Sequence, residues 1–191
     1  MLRTRYYDTE QVYACDMEWV EDLVSPDSVR RAAAVTRFHQ AESDRRTSLM
    51  DALRNVWPTR IHSPDRVDGD PAELIHLTLR YLEWEALHPA EWHRDWGMKQ
   101  KLLRRIVRCR ADLDASHRER LAELVVMAVR REHRCKDQGY LRIVRLLGED
   151  LRERLAAEPG DRARFLLYYL DHPELPVKTR AWNEWITGRA S

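Results

Sequence analysis

Lysine and glycine are both scarce in this sequence. Only four of the 33 basic residues are lysine, at positions 99, 101, 136 and 178. Such a preference for arginine is common in proteins from GC-rich genomes, so the number of arginines alone does not indicate nucleic-acid binding. Glycine contributes six of the 191 residues, and the prolines stand at apparent corners between segments. This composition favours helices over sheets.

Cysteine and long apolar runs are also scarce, which bears on the compartment of the protein. The three cysteines, Cys15, Cys109 and Cys135, are odd in number and far apart, which argues against a disulfide framework and fits a reducing compartment. No apolar run approaches the roughly 20 residues that a membrane helix needs, and the N-terminus has no apolar signal region. We therefore expect a cytoplasmic protein that makes no membrane contact.

The sequence contains none of the motifs that would identify a common enzyme. It has no phosphate-binding glycine loop, no Gly-x-Ser-x-Gly turn and no His-Glu-x-x-His pair. Each of these motifs places reactive groups at a fixed spacing, so their absence removes the corresponding nucleotide-binding, hydrolase and zinc-protease classes. The sequence favours a non-enzymatic protein without a cofactor.

Two acid-x-x-His pairs are the strongest candidates for a metal site. Glu85 precedes His88 by three residues, and Asp114 precedes His117 by the same spacing. This pattern resembles carboxylate-bridged di-iron bundles, in which such pairs project into the core. However, His88 directly precedes Pro89 and so lies at a helix end, while His117 lies at a helix start. The sequence therefore predicts no metal site.

Apolar residues recur with a helical period along most of the chain, and no segment alternates as a strand would. The length suits one domain. We predict a single all-α domain, residues 1–191, whose neighbouring helices are antiparallel. We predict nine helices, at residues 11–24, 27–40, 44–57, 72–87, 98–112, 117–134, 138–157, 162–171 and 176–187.

A sharp corner between two helices lies within residues 19–38 and is the best-defined local feature. The sequence predicts a helix that ends near Ser25, a corner at Pro26 and a second helix that starts at once. Asp27 or Ser28 is expected to cap the second helix, because the side-chain oxygen of either residue can accept hydrogen bonds from the first-turn amides.

The second helix of this corner opens with a pattern that recurs near the C-terminus. A valine and a basic residue come first, and an alanine stands four positions after the valine. The two copies are Val29, Arg30 and Ala33, and Val177, Lys178 and Ala181. We expect Val29 and Ala33, with Val35 or Phe38, to face the core.

This corner resembles a HEAT-type repeat, in which an apolar helix, a Pro/Asp corner and a Val-Arg helix opening form one unit. The resemblance implies an α-solenoid of stacked helix pairs with an extended, concave binding surface. An irregular helical bundle is the alternative architecture.

Charge is distributed unevenly along the chain, although the net charge is only +1. Residues 1–93 hold 11 basic and 17 acidic residues, a net of −6, and residues 94–136 hold 13 and 6, a net of +7. Residues 137–191 hold nine of each. This asymmetry indicates an acidic region and a basic region, each able to meet an opposite charge.

Binding to another protein is the function that we predict first. Two connections, residues 58–71 and 88–97, flank a helix at 72–87 that is apolar on most sides and is therefore expected to be central. Tryptophan is enriched among residues that dominate binding energy, and arginine presents a forked donor to carboxylates. A small protein with an acidic region suits an immunity or antitoxin protein that covers a basic toxin. The predicted partner-binding residues are Arg60, Arg66, Trp92, His93, Arg94 and Trp96.

Nucleic-acid binding is the alternative function. A stripe of cations with helical spacing lies on the helix at 98–112 and could contact phosphates. Some HEAT-like proteins are DNA-repair glycosylases with a basic concave face, so the resemblance implies a similar use of residues 94–136. The acidic first half counts against a continuous basic groove, and we therefore expect weak, salt-sensitive binding. The stripe comprises Lys101, Arg104, Arg105 and Arg108.

Overall fold

The computed structural model describes residues 18–43, 71–90, 98–132, 134 and 136–176. These residues form seven α-helices and three 3-10 helices and contain no strand. The predicted all-α class is therefore confirmed. The helix predicted at residues 44–57, and all but the first residue of the one predicted at 176–187, lie outside the described residues.

The chain divides into two compact units, Met1–Glu91 and Trp92–Ser191, called here the N-terminal and the C-terminal unit. The prediction that residues 1–191 form a single domain stays a prediction. In the N-terminal unit, a 3-10 helix at Glu18–Val24 precedes α1 (Ser28–Ser43) and α2 (Pro71–Leu87). The C-terminal unit contains α3 (Met98–Arg108), α4 (Ala115–Arg130), α5 (Tyr140–Leu147), α6 (Glu149–Ala156) and α7 (Asp161–Asp171), with 3-10 helices at Arg110–Asp112 and Asp137–Gly139.

The predicted corner before α1 is present, and Asp27 is its capping residue. The Oδ1 atom of Asp27 accepts hydrogen bonds from the backbone amides of Val29 at 2.8 Å and Arg30 at 3.4 Å. These bonds satisfy two amides that have no partner within the first helical turn. The segment before the corner is a 3-10 helix, Glu18–Val24, rather than the predicted α-helix.

The prediction that Val29 and Ala33 face the core is wrong. Val29 is 76% exposed and Ala33 is also exposed, whereas Ala34 and Phe38 are 2% and 4% exposed. The buried stripe therefore begins one position later than predicted. The reason is that the Phe38 ring packs edge-on against Trp84 of α2, with 5.1 Å between centroids. Burial of a large aromatic ring outweighs burial of a valine, so Phe38 sets the rotation of α1.

Helix α2 has the predicted character of a central helix within its unit. It begins at Pro71, the position where a missing amide proton costs least. Glu21 of the preceding 3-10 helix ties that helix to α2, because its carboxylate contacts His76 at 2.5 Å and Arg80 at 2.6 Å. The buried apolar residues of α2 include Ile75, Leu77, Leu79, Tyr81, Leu82 and Trp84.

A capping box explains the second acid-x-x-His pair and moves the predicted start of α4. Asp114 accepts a hydrogen bond from the His117 amide at 2.8 Å, and the His117 ring accepts one from the Asp114 amide at 3.4 Å. This reciprocal arrangement begins the helix at Ala115, two residues earlier than predicted. The spacing that suggests a metal ligand pair is therefore the spacing of a helix cap.

Glycines set the boundaries of the last three helices. The helix predicted at 138–157 is divided at Gly148, whose φ of 59° lies in the left-handed region that favours glycine. The break predicted at Pro159–Gly160 is confirmed, and Gly160 has a φ of 112°. The predicted inward residues of α5 and α6 are buried, namely Leu141, Val144, Leu151 and Leu155.

Candidate anion-binding face

Three packed helices of the C-terminal unit form the layer on which the candidate site lies. Helix α5 packs against α3 and also against α7. Helix α3 buries Leu102, Leu103 and Ile106, which places its predicted stripe of cations on the opposite side. Arg142 of α5 lies near Arg104 of α3 and joins the stripe. We call this set the cationic face; it comprises Lys101, Arg104, Arg105, Arg108 and Arg142.

Four members of the cationic face have no acidic side chain beside them in the described part of the chain. Lys101, Arg104 and Arg108 are exposed, and Arg142 is half-buried. None of the ion pairs between described residues includes any of these four side chains. No described carboxylate therefore compensates their positive charge.

Several arginines elsewhere in the same unit are paired with carboxylates. Arg152 alone contacts two, Glu149 at 2.6 Å and Asp171 at 2.8 Å. This contrast makes the cationic face a local feature rather than a consequence of the arginine-rich composition. Three further pairs are Arg118 with Asp150 at 2.7 Å, Arg130 with Glu158 at 2.5 Å and Arg154 with Glu119 at 2.6 Å.

Electrostatic repulsion within the cationic face is visible in two pKa shifts. Burial, and then the positive charge of Arg108, lower the pKa of Arg105. Burial, and then the positive charge of Arg104, lower the pKa of Arg142. Both guanidiniums remain protonated at neutral pH, because the ordinary pKa of arginine lies far above neutrality. An anion placed between either pair would relieve this repulsion.

A buried ion cluster fixes α3 to the segment that starts α5. Lys99 donates to Oδ1 of Asp137 at 2.9 Å, and both side chains are 1% exposed. Arg131 donates to the two carboxylate oxygens at 2.9 and 3.0 Å, and the Arg134 amide donates at 2.8 Å. The cluster therefore sets the position of α3 relative to α5, which carry the cationic face.

Close backbone approach supports the same junction. A Cβ atom at Gly139 would lie 2.8 Å from the Cδ1 atom of Leu103, which is closer than side chains normally approach. The 3-10 turn before α5 therefore packs directly on α3. Gly139 itself is buried.

The buried ion cluster was not predicted from the sequence, although the burial of its lysine could have been. Lys99 precedes Leu102, Leu103 and Ile106 by three, four and seven residues, which is the spacing of one helix face. That spacing places the lysine on the buried side of the helix. Because a buried charge without a partner is costly, a carboxylate is expected beside it. Its partner Asp137 is 38 residues away, and no local pattern identifies it.

The structure describes one of the two predicted sets of site residues and not the other. The structure brings Lys101, Arg104, Arg105 and Arg108 together on one side of α3. Arg142, which joins them, was missed because residues 137–191 have balanced charge. The predicted partner-binding residues lie outside the described residues, so their role stays a prediction. They are Arg60, Arg66, Trp92, His93, Arg94 and Trp96.

The described residues contain neither a metal-binding cluster nor a membrane-spanning helix. No group of three or more His, Cys, Asp or Glu side chains there is arranged to hold a metal ion. Glu85, the acid of the first acid-x-x-His pair, is fully buried in the N-terminal unit. Within the same residues, no helix has the length and apolar character needed to cross a membrane.

Comparison with known proteins identifies no relative: no protein-family model, curated protein or solved structure matches the chain. The resemblance to HEAT-type repeats therefore stays a prediction. The function has to be inferred from the chemistry of the cationic face.

Proposed function

We propose that this chain is a non-enzymatic nucleic-acid-binding protein whose cationic face contacts the phosphate backbone. The observation that carries the proposal is the set of four cations without an ion-pair partner in the described part of the chain, on two helices held together by a buried ion cluster. Unbalanced surface cations attract polyanions, and the release of counterions from the polyanion supplies the free energy of binding.

The spacing of the cationic face suits successive phosphates. Lys101 and Arg108 are seven residues apart on α3, which corresponds to about 10 Å along the helix axis. One strand of duplex DNA carries a phosphate about every 3.4 Å of axis, so this length spans about three phosphates. Arginine adds a planar fork that can donate two hydrogen bonds to one phosphate.

Contacts of this kind position a protein on nucleic acid without reading its sequence. We therefore expect binding that does not depend on base sequence. Sequence-independent binding typically has a dissociation constant of about 10⁻⁴–10⁻⁶ M at physiological salt. Weak, salt-sensitive binding also agrees with the acidic character of residues 1–93, which counts against a continuous basic groove.

The salt dependence of oligonucleotide binding tests this proposal. Fluorescence anisotropy would follow a labelled duplex between 50 and 200 mM salt. Four phosphate contacts predict a slope of about −3.6 in log K against log salt, or about a 150-fold loss of affinity over this range. The double variant Arg104→Gln/Arg108→Gln should reduce the slope by about 1.8, because two contacts are lost.

A matched control is available in the same unit. Arg154→Gln also removes one guanidinium, but that group is paired with Glu119 rather than unbalanced. The control should bind the duplex nearly as the parent does. A parent protein that shows no binding at 50 mM salt, or a double variant with the parent's slope, would contradict the proposal.

A protein partner is the second proposal, and one observation supports it. Leu87 is 51% exposed at the end of α2, immediately before the connection 88–97 that was predicted to bind a partner. An exposed leucine beside two tryptophans in sequence suits the apolar centre of an interface. A toxin countered by an immunity-type protein is the partner class expected, and HEAT-type stacking would supply an extended surface.

The variant Trp92→Ala tests this second proposal. If Trp92 is a binding residue rather than a core residue, the change should leave the melting temperature nearly unaltered. A core tryptophan would instead lose about 3–5 kcal/mol of stability on truncation to alanine. Thermal denaturation followed by circular dichroism distinguishes the two cases, and a large loss of stability would rule out this docking surface.

A further inference from the structure

Two buried hydrogen-bond donors lie side by side next to the cationic face. Tyr169 of α7 is 1% exposed, and its hydroxyl has no hydrogen-bond partner among the described residues. The Nε atom of Arg145 is also buried without a partner. The Arg145 guanidinium lies over the Tyr169 ring, 4.1 Å from its centroid. Buried donors without a hydrogen-bond partner are rare in native proteins. A group that accepts these hydrogen bonds is therefore expected to bind here.

Positive charges lie near the Tyr169 hydroxyl, and the carboxylate of Glu174 lies near Arg145. Burial raises the pKa of Tyr169, while Arg145 and Arg142 act in the opposite direction, and the net shift is upward. The phenol therefore stays protonated at neutral pH and can donate a hydrogen bond. Arg104 lies next to Arg142, and neither has an acidic partner in the described part of the chain. Positive charge with a neutral O–H donor suits an anion.

We propose that Arg104, Arg142 and Tyr169 form a discrete site for a single phosphate group at the junction of α3, α5 and α7. This inference rests on the proposed function, since it identifies one place where the cationic face would hold a backbone phosphate. The two guanidiniums supply charge, and the Tyr169 hydroxyl donates a neutral hydrogen bond. A free phosphate ion carries the same chemistry.

The two arginines of α5 have different roles at this site. Arg145 donates hydrogen bonds to the backbone carbonyls of His172 and Leu175 and stacks on the tyrosine, so it holds the ring in place. Arg142 forms no ion pair with any described residue that would oppose its movement. Because the hydroxyl is buried, a neighbouring side chain has to move when a phosphate enters, and we assign this movement to the half-buried Arg142.

The variant Tyr169→Phe tests the site with two probes, inorganic phosphate and a duplex oligonucleotide. Isothermal titration calorimetry should show roughly tenfold weaker binding of inorganic phosphate, because a hydrogen bond to a charged group is lost. The oligonucleotide should also bind less tightly. Tyr168→Phe is the matched control, since Tyr168 is 40% exposed on the neighbouring position, and it should behave as the parent does.

A double variant separates this site from the wider cationic face. Lys101→Gln/Arg108→Gln should weaken oligonucleotide binding far more than phosphate binding, because these side chains lie outside the site. If phosphate binding depends on Tyr169 but no oligonucleotide binds, the proposed function fails and the phosphate site holds. If the oligonucleotide binds and Tyr169→Phe binds both probes as tightly as the parent, the site is refuted.

The thermal stability of Tyr169→Phe provides an independent check of the site. A hydroxyl that has no partner can be removed without loss, so Tyr169→Phe should melt at the parent's temperature or above it. A lower melting temperature would mean that the hydroxyl already makes a structural hydrogen bond, for example to a buried water. That result, or a parent protein that binds no phosphate at millimolar concentration, would overturn the inference.

Discussion

Asp137 is the residue whose replacement should most damage the C-terminal unit. Its carboxylate is 1% exposed and accepts hydrogen bonds from Lys99, Arg131 and the Arg134 amide. In Asp137→Asn the shape is almost unchanged, but the carboxylate charge 2.9 Å from the Nζ atom of Lys99 is lost. The ammonium would then be buried next to a second cation.

The expected cost of Asp137→Asn is about 3–5 kcal/mol, the range found when one partner of a buried ion pair is removed. Removal of the lysine instead of the aspartate should cost much less stability. In Lys99→Met a side chain of similar length stays buried, and Asp137 keeps both hydrogen bonds from Arg131 at 2.9 and 3.0 Å. Its carboxylate therefore remains compensated, and the cost should be below about 1.5 kcal/mol, as for swaps that conserve volume.

Urea denaturation followed by circular dichroism measures both changes. A shift in the transition midpoint at unchanged m-value reports stability alone. The reasoning is refuted if Asp137→Asn lies within about 1 kcal/mol of the parent. It is equally refuted if Lys99→Met costs more than Asp137→Asn, because the stability would then come from the lysine rather than from compensation of its charge.

Two further predictions concern Gly148 and Cys109. Gly148→Ala should cost about 1–3 kcal/mol through backbone strain alone, because its φ is 59° and a Cβ atom there would meet nothing within 4 Å; an unchanged urea midpoint would count against this. Burial, and then Asp112, raise the pKa of the Cys109 thiol, so alkylation by iodoacetamide should be slow at pH 7 and become faster only at a pH above the ordinary thiol pKa. Peptide mapping that finds Cys109 rapidly modified in the folded protein at pH 7 would contradict it.

Local interactions made several features predictable from the sequence. Asp27 caps α1 through atoms two and three residues away, and Pro159–Gly160 ends a helix through restrictions within the residues themselves. The stripe from Lys101 to Arg108 follows from the period of a single helix. Such features depend on neighbours within about one or two turns, and the sequence lists those neighbours directly.

Packing decided which side of a helix is buried where the sequence offered two choices. Val29 and Phe38 both lie on apolar stripes of α1, and their positions differ by rotation of the helix. The contact between Phe38 and Trp84 of α2 selects one rotation and leaves Val29 exposed. Sequence alone does not show that Trp84 lies opposite α1, because 46 residues separate the two aromatic rings.

The sequence by itself determined that the described chain is helical and that α3 carries cations at helical spacing. Only the tertiary structure decided that Lys101, Arg104 and Arg108 form no ion pair with another described residue, while Arg118, Arg130 and Arg154 are paired. It also added Arg142 to the cationic face. The physical reason is that compensation of a charge depends on which side chain lies within a few ångströms of it, and those partners here stand about 30 residues away.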